Sequence, residues 1–366
     1  MIKKISRYLE NQTLIYIGAI TLTLVGIYLR FNYRKLEPLI GDELYAVNIL
    51  SSAKSFLSFV SQLPYIEFSS YLTGDYYLLY PFVQIFGANK WGIAIPHIIS
   101  TLFCFYLLFK VCQLHLKNAL GFFIAFTIVS FNSTLIEHSF ELRYYAIMQT
   151  LGLATYYFTY LLAYRPQTVT KFKLIAMGIF FCLAILFHFY SVILICANIA
   201  FLLAVHVQDK TFINVAKKIL PLFTVVFLIT APILYYVLVL KYHISSIWGN
   251  EPFKYIPNPL INPLGFFKGI FCNLIGYKKF YIFLPGLLIS LCLPHKDREK
   301  QLWFLLILVL LPITVLLLLD LKGGYWFIQR QFIWIMPLFA VLLGWCWESM
   351  TQYFSSYAGS RRLSNT

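Results

Sequence analysis

The stretch Leu302–Leu319, LWFLLILVLLPITVLLLL, runs through eighteen residues without a charge. A helix of about 20 mostly apolar residues is what crosses the roughly 30 Å hydrocarbon core of a bilayer. Leu14–Leu29 and Ile333–Trp347 have the same character. In lipid only helices and closed barrels satisfy every backbone hydrogen bond. A barrel would show period-2 segments of about ten residues, and none is sustained here. Composition agrees. The 366 residues are 60% hydrophobic, 19% aromatic and 12% charged, with a mean hydropathy of +0.75. Soluble domains carry about 45–50% apolar and about 25% charged residues, and disordered chains are more polar still. Both classes are excluded, and an all-α polytopic membrane protein is expected. The 35 Phe and 27 Tyr suit a membrane body with interfacial belts.

Working outward, the first span is expected at Thr13–Leu29, behind Lys3, Lys4 and Arg7. No small-residue cleavage site follows, so it reads as an uncleaved anchor and not as a secretory signal. Further spans are expected at about 92–112, 119–136, 143–163, 173–187, 190–207, 219–240, 280–294, 302–320 and 331–348, about ten in all. The break at His188-Phe189-Tyr190 divides a run too long for one span. Between the first two spans, Glu43–Leu63 reads as an amphipathic helix lying on the membrane, and Tyr76–Phe86 as a short interfacial or re-entrant element. Residues 1–348 form one transmembrane domain with long outer loops at about 30–91 and 241–279, and 349–366 is a cytoplasmic tail.

The net charge of +15 is read first as topology, because cytoplasmic loops are enriched in Lys and Arg. With both termini cytoplasmic, the inner segments hold 16 bases and 5 acids and the outer ones 13 and 9. Nucleic acid is not expected as a partner. Six of the seven cysteines fall in apolar runs and only Cys272 in an outer loop, so neither a disulfide nor a Cys-based metal site is expected.

Three constellations at outer helix ends could carry chemistry. Gly41-Asp42-Glu43-Leu44-Tyr45 sets two carboxylates at the start of a helix. Acids are at home there as a cap and a first-turn residue; equally, either could take a proton from an attacking hydroxyl or amine. Glu137-His138-Ser139-Phe140-Glu141-Leu142-Arg143-Tyr144-Tyr145 is either a solvated turn within an aromatic belt or an anion site, since Arg offers a planar, always charged fork. Arg330, after Gly323-Gly324, either snorkels to the interface or contacts a phosphate. Lys278 and Lys279 sit where a lipid phosphate would lie, or simply anchor the helix end. His188 and Tyr190 stand at an outer helix end, as structural groups or site-lining ones. His97 and Asn132 read as intramembrane hydrogen-bonding groups. Asp75 either caps a helix or lines the site. There is no Walker, Rossmann, zinc or serine-hydrolase pattern. No cofactor is called for, and a divalent cation is left open.

With these residues in view, the chain resembles the C-type glycosyltransferases, and within them the bacterial branch of the dolichyl-phosphate-mannose protein mannosyltransferases, which includes the lipid A aminoarabinose transferases. The Asp42-Glu43 pair after the first span is one match. The others, in order, are Tyr76-Tyr77-Leu78-Leu79 with Phe86-Gly87-Ala88 and Ile95-Pro96, then Glu141-Leu142-Arg143-Tyr144-Tyr145-Ala146, then Arg330-Gln331-Phe332 with Met336-Pro337-Leu338. Thr73-Gly74-Asp75 stands where the family often has His-Pro-Pro or Lys-Pro-Pro. The resemblance implies a polyprenyl-phosphate-linked sugar donor, a lipid, glycan or protein acceptor, and transfer on the outer face of a bacterial inner membrane. It implies Asp42 and Glu43 as catalytic carboxylates, Arg143 and Arg330 with Lys278 and Lys279 on the donor phosphate, and Asp75, Glu141, Tyr144, His188 and Tyr190 lining the site. A polyprenyl-linked glycan flippase or other transporter and a glycan polymerase are the rival readings. A transporter would place polar groups near mid-bilayer and often show paired repeats; here the charges gather at helix ends.

Overall fold

The computed structural model describes residues 12–36, 38–39, 42–62, 74–141, 143–188, 191–208, 212–245, 257–276, 280–293, 299–323 and 333–363. Among them every regular element is a helix. The helices are α1 (Gln12–Leu36), α2 (Asp42–Ser52), α3 (Phe56–Gln62), α4 (Gly74–Phe86), α5 (Lys90–His115), α6 (Ala119–Phe131), α7 (Ser133–Glu137), α8 (Tyr145–Tyr164), α9 (Lys171–Phe187), α10 (Ser191–Gln208), α11 (Phe212–Ser245), α12 (Pro263–Ile275), α13 (Phe280–Cys292), α14 (Glu299–Gly323) and α15 (Met336–Leu363). Two of them, α1 and α5, are long and apolar enough throughout to cross a membrane. Shorter apolar stretches lie at Ala119–Phe131, Ser191–Leu203, Ile219–Pro232, Pro263–Cys272 and Leu305–Leu318.

Side-chain caps set many of the boundaries. Asn89 Oδ1 accepts the Trp91 and Gly92 N–H groups, each at 3.0 Å, and starts α5. Gly87, at φ +84°, turns the chain between α4 and α5, a conformation that costs glycine nothing and a side chain dearly. Asn118 and Asn262 cap α6 and α12 in the same way, at 3.1 and 2.8 Å from the N–H groups of Gly121 and Gly265.

The main core forms where α8 is enclosed by α5, α9 and α10, and where α6 packs along α15. At that last crossing the backbones of Gly121 and Gly344 meet closely enough to exclude a side chain, the small-residue approach that lets helices associate in lipid. Glu348, fully buried on α15, accepts the N–H groups of Lys117 and Asn118 at 2.8 and 3.2 Å. Those donors would otherwise be orphaned at the start of α6. The first helix lies at the rim. Its inner stripe is Ile15, Ala19, Gly26, Arg30 and Arg34, and its outer face exposes Ile17, Ile20, Leu24 and Tyr28.

Two expectations need correction. Glu43–Leu63 is not one helix on a membrane surface but two short helices, α2 and α3. They fold onto α4 around a second core of Ala46, Val47, Leu50, Phe59, Leu79, Tyr80 and Val83, with Phe59 stacked on Tyr80 at 4.8 Å. Packing against α4 buries the apolar face that the sequence alone would have left to lipid. The expected span 119–136 is broken at Asn132, which caps α7 through Leu135 N–H and donates to Leu274 O at 3.2 Å. The segment read as a tail is helical as far as Leu363, as the end of α15. Helices occupy the other expected places, although α11 and α15 run well beyond the expected bounds and α13 has 13 residues, and the break after α9 falls between Phe187 and Ser191. The short α4 has 13 residues, about 20 Å of rise, too little for a span. All seven cysteines are unpaired.

Candidate active site

The C-terminal end of α1, the N-terminal end of α2 and the turn after α7 converge on a cavity of about 210 Å³. Its walls carry Arg30, Arg34, Glu43, Glu137, His138 and Glu141. Arg30 and Arg34 stand four residues apart on one helix face, so both turn toward the same neighbours. Arg30 is wholly enclosed and satisfied by neutral groups. Its Nε donates to Ser139 Oγ at 2.8 Å, Nη1 to Gly26 O at 2.8 Å and Nη2 to Val129 O at 3.0 Å. It also lies 5.4 Å from the centre of the Phe105 ring, a contact of the cation–π kind. This guanidinium fixes the end of α1 to α6 and to the 138–144 turn, while keeping its positive charge.

Arg34, one turn further, is 4% exposed and meets a carboxylate. Nη1 donates to Glu43 Oε2 at 3.1 Å, and Nη2 lies 2.9 Å from Oε1. Glu43 is itself 3% exposed. Buried charges persist when paired and hydrogen-bonded, and an end-on guanidinium fork meets that need. Two donors of Arg34, Nε and Nη2, make no hydrogen bond among the described residues. The Arg34 charge also acts on His97 of α5, whose two ring nitrogens have no hydrogen-bond partner among the described residues. The sequence expectation of a hydrogen-bonded His97 is therefore not met within the described residues, whereas Asn132 makes the bonds expected of it.

Across the cavity, His138 Nδ1 and Glu141 Oε2 are 2.5 Å apart, both part-exposed. From His138 a row of rings leads away: Tyr145 at 4.9 Å, Tyr144 at 4.6 Å from Tyr145, and His188 at 4.6 Å from Tyr144. His188 is buried at the end of α9. Gly74 lies so close to that end that an added Cβ would stand 2.9 Å from Leu186 O. This approach brings the first turn of α4, with Asp75, to the same region. Asp75 is 4% exposed, and its Oδ1 accepts the Tyr76 N–H at 3.0 Å. Burial pushes its carboxyl up to about 7, against the lowering effect of the backbone hydrogen bonds. A carboxyl poised there can hold or release a proton near neutrality.

The residues singled out in the sequence are thus placed unevenly. Glu43 and Glu141 face one cavity. Asp75, Tyr144 and His188 lie along the adjoining aromatic row and helix ends. Asp42 begins α2, beside Glu43 in the chain. Arg143 follows Glu141, to whose carbonyl its N–H donates at 2.7 Å, but it is not part of the cavity wall. Tyr190, Lys278, Lys279 and Arg330 lie outside the described residues. Among the described residues no group of three or more His, Cys, Asp or Glu side chains is gathered as metal ligands would be. Sequence reasoning missed Arg30 and Arg34. Their signal was spacing: Ala19 and Gly26 mark the inward stripe of α1, and steps of four from Gly26 put both arginines on it.

A search of curated proteins finds no match. The cavity straddles the start of a second finding: Glu137, His138 and Glu141 lie within it, and Arg30, Arg34 and Glu43 precede it. Over residues 75–236, from α4 into α11, the chain matches the family model of the dolichyl-phosphate-mannose-protein mannosyltransferases.

Proposed function

We propose that the protein is a multi-pass glycosyltransferase of a bacterial inner membrane, moving a sugar from a polyprenyl-phosphate carrier to an envelope acceptor on the outer face. The observation that carries this reading is the buried Arg34–Glu43 pair on the wall of a cavity at the helix ends, together with the family match that begins at Asp75. Acid and guanidinium stand side by side where a lipid tail could follow the helices and its phosphate reach the interface.

The chemistry follows from these groups. The acceptor hydroxyl or amine attacks the anomeric carbon and passes its proton to a carboxylate, Asp42 or Glu43. The bond from the anomeric carbon to the phosphate oxygen breaks, and the electron pair leaves with the polyprenyl phosphate. Cations set in place beforehand stabilise that developing charge without reorganising. Arg143, Arg330, Lys278 and Lys279 are assigned to the phosphate along its path, and Asp75, Glu141, Tyr144, His188 and Tyr190 to the surrounding wall. Exclusion of water from the closed site would keep the donor from hydrolysis.

The test is transfer from a polyprenyl-phosphate sugar in reconstituted vesicles, with the donor found by profiling lipid-linked sugars that accumulate in a strain lacking the protein. Asp42→Asn and Glu43→Gln are each expected to lower kcat at least about 100-fold, the scale of losing a general base. Full activity in both variants would remove the carboxylates from the mechanism.

A further inference from the structure

The cavity's most unusual group is Arg34, because its hydrogen bonding is half complete. A guanidinium has two flat edges that can each grip an oxyanion with two parallel N–H donors. One is the end edge, Nη1 and Nη2. The other is the side edge, Nε with the outward proton of Nη2. The end edge faces Glu43: Nη1 donates to Oε2 at 3.1 Å, and Nη2 lies 2.9 Å from Oε1 in the ion pair. The side edge consists of the two atoms that lack a hydrogen-bond partner among the described residues, Nε and Nη2. Buried polar donors are almost always satisfied, and these belong to a side chain only 5% exposed on a cavity wall. One turn earlier on the helix, Arg30 brings a second positive charge that donates to three neutral oxygens. The cavity wall sets these two guanidiniums beside the carboxylates of Glu43, Glu137 and Glu141, so an anion would be held by the open donors of Arg34 and not by a general excess of positive charge.

We infer that Arg34 is a two-edged guanidinium, holding Glu43 on its end edge and a substrate oxyanion on its side edge. The oxyanion class is a phosphate monoester or diester; that it is the donor's own phosphate rests on the function proposed above. The arrangement fixes the anion and the carboxylate on opposite edges of one planar group. A base at Glu43 and a leaving phosphate at the side edge would then keep a set separation, whatever the rest of a long flexible lipid does. Arg34 binds the anion directly and positions Glu43.

The experiment uses the full chain in nanodiscs, with farnesyl phosphate, farnesol and inorganic phosphate as probes, and calorimetric binding with thermal unfolding as readouts. Arg34→Lys keeps the charge but loses the fork, and is expected to weaken farnesyl phosphate about 10- to 100-fold while farnesol binding stays as it was. Unchanged farnesyl phosphate affinity in a folded Arg34→Lys protein would overturn the assignment. Glu43→Gln leaves the side edge in place, so the phosphate probe should still bind and still raise its unfolding temperature. A loss in Glu43→Gln as large as in Arg34→Lys would mean that Arg34 acts only through Glu43, and would also overturn it. If Arg34→Lys does not fold, protection of Glu43→Gln by phosphate decides alone: protection supports the side-edge site and its lack rejects it. Equal binding of inorganic and farnesyl phosphate, both dependent on Arg34, supports the fork while refuting a lipid-linked donor. Equal binding of farnesol and farnesyl phosphate, independent of Arg34, refutes the fork and leaves the lipid carrier standing.

Discussion

Asp75→Asn should stabilise the protein, and by more at high pH than at low. The Asp75 carboxyl titrates near 7 in the folded chain because burial disfavours its charge, against an ordinary value of 3.8 when exposed. The folded state therefore binds the proton more tightly than the unfolded state. Stability from this group is complete below about pH 4 and is lost as pH rises toward 7, above which the loss is constant. A separation of about three units at about 1.4 kcal/mol each gives a loss of about 4 kcal/mol at pH 8. Asn removes that titration yet keeps an oxygen to accept the Tyr76 N–H, so that hydrogen bond survives. Comparing wild type and Asp75→Asn by unfolding in mixed detergent micelles, followed by Trp emission, should show a gap of about 4 kcal/mol at pH 8, shrinking to about 1–2 kcal/mol at pH 5. A gap independent of pH, or a variant less stable at both, would refute the buried-proton argument.

Glu348→Ala is expected to cost about 2–4 kcal/mol, because the buried Asn118 N–H and the part-buried Lys117 N–H at the start of α6 lose a charged acceptor; an unfolding temperature equal to wild type would reject that role. Reporter fusions at Lys171 and Lys254 should report opposite sides of the membrane, as the distribution of basic residues requires, and reporters on one side would dismantle the proposed topology.

How much was legible in the sequence can be judged from single residues. The helical class was plain from runs such as Leu302–Leu319, where no charged residue offers another solution. Capping positions at Asn89, Asn118 and Asn132 were readable in principle, since Asn before an apolar run is a start signal, yet Asn132 lay inside a stretch apolar enough to pass as one span. Its bond to Leu274 O, 142 residues away, is tertiary and has no local mark. The fold of α2 and α3 onto α4 was hidden for the same reason: an amphipathic pattern states that a face will be buried, not whether lipid or protein buries it. The carboxylates Glu43 and Glu141 were found because paired acids at a helix end stand out in so apolar a chain. Arg30 and Arg34 were not, because basic residues after a first span are ordinary. Only their register with Ala19 and Gly26 sets them on the inward side, and charge counting ignores register.

The partners of Arg30 arrive late in synthesis. Val129 and Ser139 follow it by 99 and 109 residues. At about 5–20 residues per second, the ribosome needs on the order of 5–20 s to make them. Throughout that interval the guanidinium has only Gly26 O of its own helix, water and headgroups to bond to, and two of its three hydrogen bonds wait for later partners, so the charged end of the newly inserted first helix stays at the surface. Arrival of α6 supplies the carbonyl and the following turn supplies the hydroxyl, and only then can the helix settle to its final depth. The order of the gene thus makes this residue a clasp that fastens after assembly is well under way, and the seating of the earliest segment waits on one made much later.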